Sequence, residues 1–199
     1  MTKVHIKLTF TDDLLGTSSG NPDIHREFIA SKAPDAAKME EEVASLGVEA
    51  VEEKSMTVFP KMADGAPYLW DYQIRGFFKE ICGAMRGIPK TKSSAVKAYK
   101  KKVDNTIFVK PREIPLDLHG MKMMDCQRPL RGSTPQGERI ALANSEVCPQ
   151  GTTCEFDVLC MVDADVDMLE EWLDYGQYKG IGQWRNSGKG RFTYTSQVI

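Results

Sequence analysis

The sequence predicts an α+β domain with an antiparallel sheet, and three observations carry that prediction. A strictly alternating stretch opens the chain, amphipathic stripes of helical period lie near residues 73–86 and 165–175, and strand-like segments fill the space between and after them. In order they trace a β-α-β-β-α-β, ferredoxin-like plan. At 199 residues the chain is sized for a single domain, 1–199, with room for insertions.

The first strand runs from Lys3 to Phe10, with Val4, Ile6, Leu8 and Phe10 on one face and His5, Lys7 and Thr9 on the other. Thr11 to Gly20 leaves it as a loop of small residues. Asn21-Pro22 starts a helix through Ala33, Asp35 caps a second through Leu46, and residues 21–55 together form a helical insertion after strand one. Met56–Phe59 and Ala66–Tyr72 read as strands around an Asp64-Gly65 turn. The helix that follows buries Ile74, Phe77, Phe78, Ile81 and Met85, leaving Arg75, Lys79 and Arg86 off the stripe. Residues 89–102 form a basic loop carrying six lysines and Tyr99. Thr106–Val109 and Glu113–Leu116 are strand pieces broken by prolines, and Met121–Leu130 and Glu138–Leu142 are weaker ones. Gly151–Val162 is the clearest late strand. The helix over Asp165–Tyr175 turns Met168, Leu169, Trp172 and Leu173 inward and Glu170, Glu171 and Asp174 outward. A glycine-rich loop then leads into a last strand from Arg191 to Thr195.

The composition, 41% hydrophobic and 27% charged, is that of a water-soluble globular protein, and no apolar run reaches membrane-span length. A cytoplasmic setting without membrane partners is the expectation. The five cysteines, Cys82, Cys126, Cys148, Cys154 and Cys160, have no zinc spacing and are expected as buried free thiols. The net charge of −2 conceals a basic middle: 16 basic against 8 acidic groups over residues 61–140, between two acidic ends. An electropositive face suits a polyanion.

The C-terminal loop from Gly180 to Phe192 holds four glycines, three cations and Trp184. Arginine and lysine beside an indole suit phosphates and bases, while a tryptophan plugging the core is the plain alternative. It is no nucleotide loop. Five residues separate Gly182 from Gly188, Gly190 stands where a magnesium-binding hydroxyl belongs, and the order is helix–loop–strand. The three histidines, His5, His25 and His119, fit no metal spacing, and neither metal nor cofactor is expected.

With these residues in hand, the chain resembles the RAMP superfamily of CRISPR-associated RNA-binding proteins. Within it the chain is most similar to the branch of type III effector backbone subunits, and it resembles solitary, divergent members of the kind found in phage genomes. Four places carry the resemblance: Leu14 to Gly20 after the first strand; Ile74-Arg75-Gly76-Phe77-Phe78-Lys79; Glu146 to Phe156 around a Pro-x-Gly-Thr turn; and the two Gly-x-Gly units at Gly180–Gly182 and Gly188–Gly190. The resemblance implies a modified ferredoxin-like (RRM-type) domain gripping RNA backbone. It implies RNA contact for Gly16, Thr17, Arg75, Lys79, Gly180, Gly182, Trp184, Arg185, Gly188, Lys189 and Gly190. The implied partners are single-stranded RNA, guide RNA among them, further copies of the chain and CRISPR effector subunits.

The aspartate with which active backbone subunits cut RNA has only a loose positional match here, Asp23, and the Asn-x-Ile-Asp-Arg stretch of typical members is replaced by Arg128-Pro129-Leu130-Arg131. RNA binding without catalysis is therefore the first expectation. Two alternatives stand beside it: a metal-independent endoribonuclease using His25 as general acid or base, and a mobile-element protein that mimics a backbone subunit and interferes with effector assembly.

Overall fold

The computed structural model describes residues 1–19, 56–134 and 137–199, with the backbone alone for 130–142. The expected helical insertion, with Asp23 and His25, lies outside the described residues. The chain forms two compact units: residues 1–14, 60–122 and 148–199, and residues 15–59 with 123–147.

The first unit holds a mixed-length sheet of β1 (Thr2–Phe10), β5 (Tyr68–Trp70), β6 (Ile107–Lys110), β7 (Glu113–Asp117), β10 (Thr153–Cys160) and β11 (Phe192–Val198), with α1 (Asp71–Met85), α2 (Tyr99–Thr106) and α3 (Ala164–Lys179). Its strand order is β11-β1-β10-β7-β5, with β6 also on β10. All its described pairings are antiparallel, from Ile6↔Phe156 at the centre to Leu8↔Tyr194 at one side and Val158↔Val109 at the other. β1 and β6 both run against β10, so they are parallel to each other with β10 between them, and α1 lies in the stretch of chain that separates them. That order and direction are compatible with the ferredoxin-like plan.

The core lies between the sheet and the helices. Val4, Ile6, Leu8 and Phe10 are buried from β1, and Phe156, Val158 and Cys160 from β10. Period two on the strands meets period 3.6 on α1, where Ile74, Phe77, Phe78, Ile81, Cys82 and Met85 are buried. Gln73 Oε1 accepts from the Trp70 amide at 2.7 Å and closes the first turn of α1. α1 and α3 approach closely at Gly176, where a Cβ would come within 2.3 Å of the Phe77 ring. Trp172 is buried, as its helical spacing predicts. Among the described residues no helix is long and apolar enough to cross a membrane. The cysteines are free thiols, four of them buried, and burial pushes the Cys154 thiol up to about 12.

The basic run departs from expectation. Expected as a loop over 89–102, it is a 3₁₀ turn (Lys92–Ala95) followed by α2, which reaches Thr106. The acids of α3 explain the order. Glu171, expected in solvent, accepts from the Lys92 amide at 2.6 Å, the Ser93 amide at 3.1 Å and the Ser93 hydroxyl at 2.7 Å. Trp172 Nε1 then donates to Ser93 Oγ at 2.9 Å.

The second unit is built on a sheet of order β2-β9-β4-β3, with β8 on β9. Its strands are β2 (Leu14–Leu15), β3 (Ser18–Ser19), β4 (Thr57–Val58), β8 (Met124–Thr134) and β9 (Gly137–Cys148). β8 and β9 pair continuously from Met124↔Val147 to Thr134↔Gly137, much longer than the two weak strands expected there. Backbone pairing carries this ribbon through Pro129, which sits on β8, a strand that among the described residues is paired on one side only.

Candidate nucleic-acid interface

The glycine loop between α3 and β11 is closed by its own backbone. Gly180, at φ +81°, ends α3 and donates to the Gly176 carbonyl at 2.8 Å. Ile181 N donates to Gly190 O at 2.9 Å, and Gly190 N to Asp13 O at 2.8 Å. A Cβ at Gly180 would lie 2.6 Å from the Lys189 carbonyl oxygen, and one at Gly190 only 1.8 Å from that of Ile181. These glycines let two strands of backbone touch at the neck of the loop. Gly182 and Gly188 hold positive φ within it, at +86° and +85°. Trp184 is left-handed too, φ +56°, and 40% exposed at the start of a 3₁₀ turn over Arg185–Ser187. It does not plug the core.

The cations assigned to RNA contact each face a carboxylate. Arg185 Nη1 is bonded to Glu80 Oε2, and Lys179 lies 3.9 Å from the same carboxylate. Lys189 Nζ meets Asp13 Oδ2 at 2.6 Å, Lys79 meets Asp104 at 2.5 Å, and Arg75 stands 3.5 Å from Asp71 one turn back on α1. All these side chains retain a fifth or more of their surface, so the pairs are of the surface kind, worth about 0–1 kcal/mol each. Gly16 and Thr17 belong to the second unit. Gly16 N donates to Glu146 O at 2.9 Å, and a Cβ there would come within 2.6 Å of the Val58 carbonyl carbon. Thr17 is half-buried.

The lysine segment is arranged differently. Between its 3₁₀ turn, α2 and the start of α3 lies a groove of about 770 Å³, lined by Lys92, Lys97, Lys101, Lys102, Asp165 and Met168 among others. Lys92 pairs with Asp167 at 2.9 Å and Lys102 with the buried Asp165 at 2.7 Å. Lys97 and Lys101 have no carboxylate partner among the described residues, and Lys90 and Lys100 are exposed beside them. Among the described residues the groove thus presents two ammonium groups that face no carboxylate.

The open face of the sheet in the first unit carries charge pairs. His5 lies 2.8 Å from Asp157 and 3.6 Å from Glu155, Lys3 is 2.9 Å from Asp157, and Lys7 is 2.8 Å from Glu155. The bond from Lys7 holds the Glu155 carboxyl below the ordinary range, and those from Lys3 and His5 do the same for Asp157. On β1 and β10 the open face shows no Phe, Tyr or Trp ring, and its imidazole, His5, is held between Asp157 and Glu155. His119 Nε2 stands 2.9 Å from Thr153 Oγ1, with Asp117 3.3 Å from its other nitrogen. Among the described residues no cluster of His, Cys, Asp and Glu fits a metal ion.

Sequence reasoning missed the acids that neutralise the glycine loop. Asp13 follows strand one and Glu80 sits within α1, 176 and 105 residues from their partners. Only the fold brings them together.

No family model matches the chain, and no curated protein matches it. Solved structures do. One is a chain of the cryo-EM structure of a type III-B Cmr-beta complex bound to cognate target RNA, at 9% identity and TM-score 0.58, covering 100% of this chain and 60% of that one. Another belongs to a type IV-B CRISPR complex, at 8% identity and TM-score 0.52, covering 98% of this chain and 90% of that one. At these identities the likeness is one of fold, and this chain spans 60% of the length of the type III-B chain it matches.

Proposed function

We propose that this chain is a single-stranded RNA-binding protein on a modified ferredoxin-like, RRM-type fold of the RAMP kind. It grips phosphates as a non-catalytic relative of CRISPR effector backbone subunits. The observation that carries the reading is the groove in which, among the described residues, Lys97 and Lys101 stand without carboxylate partners beside Lys92 and Lys102. The fold likeness to chains of two CRISPR complexes, one bound to target RNA, supports it.

The glycine loop takes part by exchange. Arg75, Lys79, Arg185 and Lys189 release half-exposed carboxylates and take phosphate oxygens, a swap that surface pairs of small net strength permit. Gly180, Gly182, Gly188 and Gly190 shape the loop that carries Trp184. Gly16 and Thr17, in the second unit, offer a turn of small residues of their own to RNA backbone. Other copies of the chain or effector subunits are its protein partners.

The test is titration of the purified chain with single-stranded RNA over a range of salt. Phosphate binding makes log K fall linearly with log salt, with a slope near −0.7 per contact. Lys97→Ala with Lys101→Ala is expected to flatten that slope by about 1.4 and to weaken binding most at low salt. Absence of any RNA affinity at low salt would overturn the reading.

A further inference from the structure

At the edge of the sheet in the first unit lies an aromatic and cationic cluster that the proposed phosphate contacts do not use. Trp70 ends β5, the last strand in the sheet order, and Tyr72 stands in the first turn of α1. Their rings are stacked, with centroids 6.0 Å apart and planes at 17°. Tyr68, itself buried, meets Trp70 edge-on at 4.9 Å and fixes the indole from the side. The Arg112 guanidinium lies 5.5 Å from the Trp70 centroid, and its carbonyl accepts from the Asp71 amide at 2.8 Å, which anchors it at the start of α1. Its charge also reaches the Tyr72 phenol.

Tyr72 is not part of the core. The buried stripe of α1 begins at Ile74, whereas Tyr72, Gly76 and Glu80 form the row that faces solvent. Tyr72 is 47% exposed, and one turn on a Cβ at Gly76 would meet nothing within 4 Å. A pre-stacked ring beside bare helix surface, with an arginine at its rim, offers a flat π-face and a phosphate partner together.

We infer that Tyr72, backed by Trp70 and flanked by Arg112, is a stacking site for an unpaired base of single-stranded RNA. The inference rests on the RNA-binding reading above and adds a base contact to it. An unpaired base is the occupant because duplex bases hide their faces in the stack, and single strands are read by aromatic and arginine planes. Since every base has a π-face, the site tolerates any sequence. The ring is already held by Trp70, so little side-chain freedom is lost on binding. Two acids lie close: Asp71, near Arg75, and Glu113, exposed and in register with Trp70. They temper the charge of Arg112 and make stacking the main attraction. The lysine turn is tied to the far end of α1 through Thr91, whose hydroxyl donates to Met85 O at 2.9 Å. The helix between the two is about 22 Å long, so one strand of several nucleotides reaches both.

The experiment uses the full chain, a single-stranded RNA of mixed sequence, and the same RNA with abasic positions, each titrated at several salt concentrations. Tyr72→Ala is expected to weaken binding to the intact RNA roughly tenfold at every salt, with the slope against log salt unchanged. Tyr72→Phe keeps the ring and should bind as wild type. The abasic strand should bind wild type and Tyr72→Ala alike. Intact RNA bound equally well by wild type and by Tyr72→Ala would overturn the stacking site and leave the phosphate reading standing. Wild type that binds no RNA overturns both. Loss of protein–protein association in Tyr72→Ala with RNA affinity intact would instead mark the cluster as a protein-docking surface and overturn the inference.

Discussion

In the loop between α3 and β11, Arg185 and Lys189 each face a carboxylate; in the segment from Lys90 to Lys102, Lys97 and Lys101 face an open groove. Both regions are rich in cations along the chain, yet Arg185 and Lys189 must first give up a carboxylate, while Lys97 and Lys101 have none among the described residues. The glycines sharpen the difference. In the loop they make a neck through which two backbones pass in contact, a demand of the fold itself. In the lysine segment, order comes from acids of α3 that cap a turn and leave some cations over. Charge written in a sequence becomes charge available to a ligand only after the fold has paired what it can.

The largest expected effect tests the structural half of that comparison. In Gly190→Ala the new methyl would sit 1.8 Å from the Ile181 carbonyl oxygen at a residue with φ +71°. Overpacking and left-handed strain together should cost roughly 3 kcal/mol or more of stability, read as a lowered midpoint in urea. An unchanged midpoint would mean the loop neck is not closed as described.

Second comes RNA affinity. Lys97→Glu with Lys101→Glu should reduce affinity at low salt by a hundredfold or so, whereas Arg185→Ala with Lys189→Ala should reduce it about tenfold or less, because each loop cation must first leave its acid. A larger loss from the loop pair would reverse the ranking and return the main grip to the glycine loop. A third variant works in the opposite direction. Glu80→Gln removes the partner of Arg185 and a neighbour of Lys179, and is expected to raise RNA affinity a few-fold at low salt and to lose that gain at high salt. No gain would show that Arg185 does not reach the RNA.

How much of this could be read beforehand follows from range. The alternation of Val4, Ile6, Leu8 and Phe10 and the stripe from Ile74 to Met85 are local patterns, and burial follows them closely. The strand–helix order that traces a ferredoxin-like plan was legible for the same reason. The helix at Tyr99–Thr106 was not, because consecutive lysines give no apolar period and its one buried side chain is Val103. At the site, the helix–loop–strand order around the glycines was legible, but the acids opposite its cations come from distant chain positions. Trp70 and Tyr72, two apart at the end of a strand, were a visible hint. Arg112, which completes the cluster, lies forty residues on and is invisible to any local pattern.

The smallest effect separates glycines the fold requires from one it does not. Gly76 lies inside α1 with negative φ, and a Cβ there would touch nothing. Helix propensity alone predicts that Gly76→Ala stabilises the chain by about 0.5–1 kcal/mol, a rise in midpoint opposite in sign to that of Gly190→Ala. Its neighbours give the substitution a second reading. Gly76 follows Tyr72 by one turn on the exposed row, so a methyl there intrudes only on something that lies against the helix. A variant that is more stable yet binds single-stranded RNA a few-fold more weakly would place the strand across that row. A variant more stable and unchanged in binding would confine the contact to Tyr72 and the lysine groove.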